Sequence, residues 1–255
     1  MRPLSKTVQL SLLITGVFTA LLLSATTWLL HSEQGSRWLL KHGLDMSPVT
    51  IETEGISGTL ADGLSVESLN ITFPVAKLRA TGIILSWSPA SLLSGIVEID
   101  TIHIAELGID VQKDNVTSAD KPRDDRLFWL RFPLTVHIET GKIEQLLIED
   151  VAFEDVNVVG SIGHGQLEIE SLDAATAGVK FQINGELKGP DPGQLDAVAS
   201  WQMPSQNLSG DGSFSGDIEQ LSFTQVINVP EIVNFDGTIY DLFNKPTLAG
   251  VADWP

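Results

Sequence analysis

From Pro48 to the end of the chain, apolar and polar residues alternate with a period of two, and glycines interrupt the pattern at short intervals. Successive side chains of a strand point to opposite faces, so this pattern gives each strand one apolar and one polar face. In PVTIETEG, Val49 and Ile51 share one face while Thr50 and Glu52 share the other. GLSVESLNITFPV leads with Leu64 and Val66, slips by one residue, and resumes with Leu69, Ile71, Phe73 and Val75. IVEIDTIHIAELGIDVQ slips near Asp100 and Ala105. Such slips suit turns or bulges between short strands. SPASLLSG, residues 88–95, reads as a one-turn helix, with Ser88 at the N-cap, Pro89 at the first helical position and Gly95 after the end. No long amphipathic helix follows residue 43. Many short strands with close turns predict an all-β protein. Two folded forms satisfy the pattern. A closed or sandwiched sheet would seal the apolar faces into a dry core. An elongated, twisted sheet would leave them lining a groove. Periodicity alone does not choose.

Ahead of this region lies TVQLSLLITGVFTALLLSATTWLL, residues 7–30, without a charged residue. As a helix at about 1.5 Å per residue it reaches about 36 Å, enough to cross a hydrocarbon core of about 30 Å. It is longer than the apolar core of a cleaved signal peptide, and SATTWLLHSE offers a poor cleavage site. Arg2 and Lys6 precede it without a nearby acid, whereas Glu33, Arg37, Lys41 and Asp45 balance behind it. The positive-inside rule then puts the amino terminus in the cytoplasm and the rest across the membrane. EQGSRWLLKHG, residues 33–43, reads as a short helix stopping at Gly43.

The net charge of −18 excludes nucleic acid as a partner and a polybasic grip on anionic lipid heads. With no cysteine there are no disulfides, thiolate nucleophiles or thiolate metal sites. His31, His42, His103, His137 and His164 lack ligand spacing and read as surface histidines. GSIGHG reads as a turn or strand bend, because no helix follows that would bind a phosphate. SGDGSFSGD, residues 209–217, lacks the closing glutamate of an EF-hand and reads as Gly-Asp turns. Glu139, Glu144, Glu149 and Glu154 read as the polar face of strands. No catalytic constellation emerges, so the expectation is a protein that is not an enzyme and needs no metal or cofactor.

Three stretches in order resemble the TamB group of the AsmA-like family, in its amino-terminal portion. The first is the apolar amino-terminal segment with GSRWLLKHG after it. The second is VTIETEGISGTLADGLSVESLNI, which carries Gly58, Leu60, Gly63, Leu64 and Leu69. The third is ILSWSPASLLSGIVEIDTIHIAELGIDVQ, with Trp87, Pro89, Leu92, Leu93, Gly95 and Ile99. The restart at RFPLTVHIETGKIEQLLIED also fits. The resemblance implies an all-β, elongated, twisted, taco-like β-sheet groove behind an N-terminal transmembrane helix and a short linking helix. It implies phospholipid carriage between the inner and outer membranes of a Gram-negative bacterium, support of outer-membrane assembly, and a TamA-like outer-membrane barrel as partner. Family members are several times longer and contact that barrel through a carboxy-terminal domain, whereas this chain stops at VADWP, as a fragment or a short relative.

The expected organisation is a cytoplasmic tip (1–6), a membrane anchor (7–30), a short helical connection (31–46), a first β segment (47–112), a charged loop (113–126), and a second β segment (127–255) continuing the same sheet. Val66, Ile71, Phe73, Leu85, Val97, Ile99, Val136 and Ile138 are in phase along their strands and are the candidate groove lining. Their alternative role is that of ordinary core side chains. Open sheet edges also allow a scaffold that pairs with strands of outer-membrane clients.

Overall fold

The computed structural model describes residues 19–21, 24–45, 50–73, 76–111, 134–189, 193–217, 219–228, 232–241 and 246–254. Residues 1–18 and 22–23, most of the expected anchor, lie outside the described residues, as does the charged loop with its flanks, 112–133. Among the described residues no helix is long and apolar enough to cross a membrane. Helical turns at 24–31 lead to α1, Glu33–Asp45, which runs through Gly43 rather than stopping there.

Ser32 separates the two helical pieces and caps the second. Its Oγ accepts the Gly35 N–H at 3.0 Å and donates to the Trp28 carbonyl at 2.7 Å. Gly35 is required there, because a Cβ would strike the Trp28 carbonyl and Leu29 Cα.

Among the described residues that follow there is one open sheet of fourteen strands. Its first part comprises β1 Thr50–Glu54, β2 Ser57–Thr59, β3 Gly63–Thr72, β4 Ala76–Ser88 and β5 Ile96–Val111. Then come β6 Thr135–Ile148, β7 Val151–Gly163, β8 Gln166–Thr176, β9 Val179–Lys188 and β10 Gln194–Met203. β11 Leu208–Asp217, β12 Gln220–Asn228, β13 Ile232–Tyr240 and β14 Thr247–Asp253 complete it. The ladder follows chain order from β3 to β14, with β1 and β2 both against β3. Every pair is antiparallel except β5 with β6. The chain therefore leaves β5 at one end of the sheet and enters β6 at the other, which no hairpin can do.

The strands are longer than the expected short ones. The slip near Asp100 is a bulge, where the β4–β5 register shifts between Ser86 and Trp87, whereas the slips at Val66–Leu69 and near Ala105 leave the register unchanged and line up across neighbours. Leu69, Ala80, Leu107, Leu146 and Phe153 form one row across β3 to β7. On the far side of the slip, Val66 faces Ile83, and Ile104, Ile143 and Val156 continue that row. Gly82, at φ +62, lies within this line, where a Cβ would meet that of Ala105 at 2.8 Å. Asp155 continues the line in β7 at φ 48. Because all five strands slip together, the apolar residues stay on one face.

Pro89–Ser94 is a 3-10 helix with Ser88 at the N-cap position, Pro89 opening it and Gly95 closing it in the left-handed region, as expected, although the Ser88 side chain makes no cap bond. The Ser88 hydroxyl donates instead to Asp100 at 3.1 Å. SGDGSFSGD is the interior of β11 rather than a series of turns. Only Asp217 turns the chain, its Oδ1 accepting the N–H groups of Glu219 and Gln220, both at 2.8 Å.

The helical segment is tied by three bonds to the residues on either side of β2. Ser36, fully buried, accepts the Leu60 N–H on Oγ at 2.9 Å; the Ala61 N–H donates to the Leu30 carbonyl at 3.0 Å; Arg37 Nε donates to the Ile56 carbonyl at 2.8 Å. Ser36→Ala would leave the buried Leu60 N–H without its acceptor, at a cost of about 1–3 kcal/mol. Amide exchange at Leu60 should accelerate accordingly, while unchanged exchange would show that the bond does not hold the helix.

Candidate functional site

The most extensive feature of the molecule is the apolar face of this sheet. Across β5 to β14 a single row runs Val97, Val136, Ile162, Leu167, Leu187, Leu195, Gly216, Leu221, Ile239, Leu248, each opposite the next. Nine strand spacings of about 4.8 Å make it about 43 Å long. The adjacent row mixes large and small: Ile99, Ile138, Gly160, Ile169, Gly185, Ala197, Phe214, Phe223, Gly237, Gly250. The glycines make room for neighbouring side chains. At Gly237 a Cβ would meet the Phe223 ring at 2.6 Å, and at Gly210 it would meet the Trp201 indole at 2.6 Å.

Nothing described covers this face. Six apolar side chains among the described residues are buried: Leu60, Leu64, Ala80, Ile83, Val156 and Leu221. Leu60 lies by the helix and Leu64 between Gly58 and Leu85, whereas Ala80, Ile83 and Val156 flank the line where the strands change phase. A second sheet packed on this face would have buried a whole row rather than single points. The remaining inward residues of the central strands are half-buried.

The structure brings together seven of the eight candidate lining residues. Val97 faces Val136 and Ile99 faces Ile138 across the parallel pair. Leu85 stands between Leu64 and Ile102, Val66 opposite Ile83, and Ile71 between Ile51 and Leu78. Phe73 sits just past the end of β3, its N–H donating to the Ala76 carbonyl at 2.8 Å. All eight are half-buried. Residues of β9 to β13 were missed, among them Phe214 and Phe223, whose stacked rings lie 6.2 Å apart. The signal was the alternation in SGDGSFSGD, which its glycines disguise as a turn.

Trp87, opposite Ile99, carries a buried indole N–H that has no hydrogen-bond partner among the described residues. An orphaned donor of this kind costs about 1–3 kcal/mol. Trp87→Phe removes it and should leave the melting temperature unchanged or higher. A fall of several degrees would mean that the indole fills space that phenyl cannot.

The opposite face is polar. Two shallow depressions, of about 330 and 540 Å3, open on it over β8 to β12. Glu168, Glu170, Glu186 and Asp196 line the larger, which disfavours anionic ligands. Lys188 donates to Glu186, and this partner raises the lysine pKa above its usual value. His103 Nε2 lies 3.0 Å from Glu144 on the same face. Glu149 belongs to the β6–β7 turn, at φ 50, rather than to a strand face. Among the described residues no group of His, Asp and Glu could hold a metal ion.

No family model matches this chain, and no curated protein or solved structure matches it either.

Proposed function

We propose that this chain is a membrane-anchored lipid conduit, whose apolar sheet face holds phospholipid acyl chains as they move between two membranes. The observation that carries this reading is the uncovered apolar row about 43 Å long. Burying an acyl methylene contributes about 0.8 kcal/mol, so a dozen methylenes against such rows offset leaving the bilayer by about 10 kcal/mol. Aliphatic side chains recognise no headgroup, so cargo selection is broad. On this reading the sheet curls, through strand twist, into the trough that the AsmA-like resemblance implies. On the same reading the charge-free segment 7–30 is the anchor and the sheet lies across the membrane from Arg2 and Lys6, which the AsmA-like resemblance makes the periplasmic side of a Gram-negative inner membrane. The trough needs no catalytic group, metal or cofactor.

Native mass spectrometry and lipid extraction of the full chain, released gently from membranes, test this. The expected result is co-purifying phospholipid. A stable, lipid-free chain would sink the reading.

One observation favours a second reading. Among the described residues the outer edge of β14 is unpaired, and Leu248 and Val251 there are 68% and 72% exposed. Such an edge can add a strand of an outer-membrane client. Photocrosslinking from position 251 to a nascent barrel would support it, and crosslinks to lipid alone would exclude it.

A further inference from the structure

Among the described residues the sheet has two Pro-initiated 3-10 tips, and their chemistry differs. Pro204–Gln206 joins β10 to β11 and reads PSQ, followed by Asn207 in the left-handed region. Pro89–Ser94 joins β4 to β5 and reads PASLLS, followed by Gly95 in the same conformation. From Thr81 to Val97 the chain carries no charge. Leu93 is 95% exposed, and Leu92 and Ile96 beside it are 42% and 38% exposed. Burial of a leucine is normally worth about 1.5–3 kcal/mol, so a fully exposed leucine at a charge-free tip is apolar surface without a partner.

The register fixes where each tip lies. Leu64 pairs with Leu85, so the β2–β3 turn and the Leu93 tip share one end of the sheet. The turn is the one held by Leu30 and Ser36 of the helical segment. Leu30, the last residue of the apolar run, therefore meets the sheet at the Leu93 end. Gln194, at the start of β10, pairs with Lys188, which pairs with Gln166 beside the β7–β8 turn, and that turn lies at the Leu93 end through Val136 and Val97. β10 thus runs away from it, and the Ser205 tip lies at the opposite end.

We propose that the Leu92–Leu93 tip inserts into the interface of the lipid bilayer that receives segment 7–30, so that the sheet is fastened to the membrane at two points. This rests on the anchored reading above. The occupant is the acyl–headgroup boundary: an uncharged apolar tip enters it without desolvating a charge, and it needs no basic residues to attract headgroups. A second contact stops the sheet from pivoting on its helix. It also brings the end of the apolar face, at Val97 and Leu85, to the level where acyl chains leave the bilayer.

The chain has no cysteine, so single cysteines report position cleanly. Full-length Leu93→Cys, Ser205→Cys and Gly16→Cys chains would each carry an environment-sensitive fluorophore in phosphatidylcholine vesicles with and without a spin-labelled quencher lipid. The expected result is quenching at positions 93 and 16, with at least a twofold loss of emission at 93, and none at 205. Quenching at 16 but not at 93 overturns the tip proposal and leaves the anchor intact. No quenching at either overturns the anchor and the tip together. A blue-shifted signal at 93 that ignores the quencher lipid means the tip is buried against protein, a second copy included, and overturns the proposal as well. Leu92→Glu/Leu93→Glu, exposed enough to fold, should abolish any wild-type restriction of Ser205 motion relative to the membrane while leaving quenching at 16 unchanged. Unchanged Ser205 motion in that variant counts against the second fastening.

Discussion

Leu85→Asp combined with Ile99→Asp is expected to strip the chain of bound phospholipid, by at least tenfold per molecule, without unfolding it. Both positions are half-buried on the open face, so without lipid a carboxylate there reaches water and the fold tolerates it. With an acyl chain laid over them, the same carboxylates lose that water, at a cost of several kcal/mol each. Leu85 lies between Leu64 and Ile102, and Ile99 between Trp87 and Ile138, so the two charges interrupt neighbouring rows. Thr101→Asp is the matched control, since Thr101 faces Ser86 on the polar side of the same strands. Phosphorus analysis of extracted lipid, with circular dichroism to confirm folding, reads the outcome. Equal lipid in the double variant and the control would mean that the apolar face does not hold it.

Gly185→Val should have the largest effect on stability. Gly185 lies between Ile169 and Ala197, and a Cβ there would stand 2.6 Å from both the Ala197 Cβ and the Asp196 carbonyl. The obstacle is backbone and a methyl group that cannot rotate away, so β9 and β10 must separate, with an expected loss of about 3 kcal/mol. Each strand packs chiefly against its neighbours in the ladder, so the loss should stay local. Amide exchange over β8 to β10 would quicken on the order of a hundredfold, while β3 to β5 keep their protection. Gly178→Ala provides the contrast. Gly178 has φ +79 with nothing within 4 Å of a new Cβ, so it incurs only the backbone strain, about 1 kcal/mol. If Gly185→Val exchanges like the parent, the two strands are not as close as the register places them.

What the sequence determined by itself was the two-faced strand. Alternation is a property of consecutive residues, so Val97 with Ile99 and Val136 with Ile138 could be assigned to one face before any partner was known. The slips at Val66–Leu69 and near Ala105 were visible for the same reason. That they fall in one line was not, because alignment depends on register between strands far apart in the chain. Glycines misled where they were most useful: β11 looks like turns, yet Gly210 and Gly212 lie in mid-strand because Trp201 and Gln225 need the space above them. The parallel pairing of β5 with β6 left no trace in either strand, since backbone groups pair equally in both directions. The choice between a sealed core and an open face was also tertiary. The same alternating residues serve either form, and only the absence of a covering layer among the described residues leaves this face half-exposed.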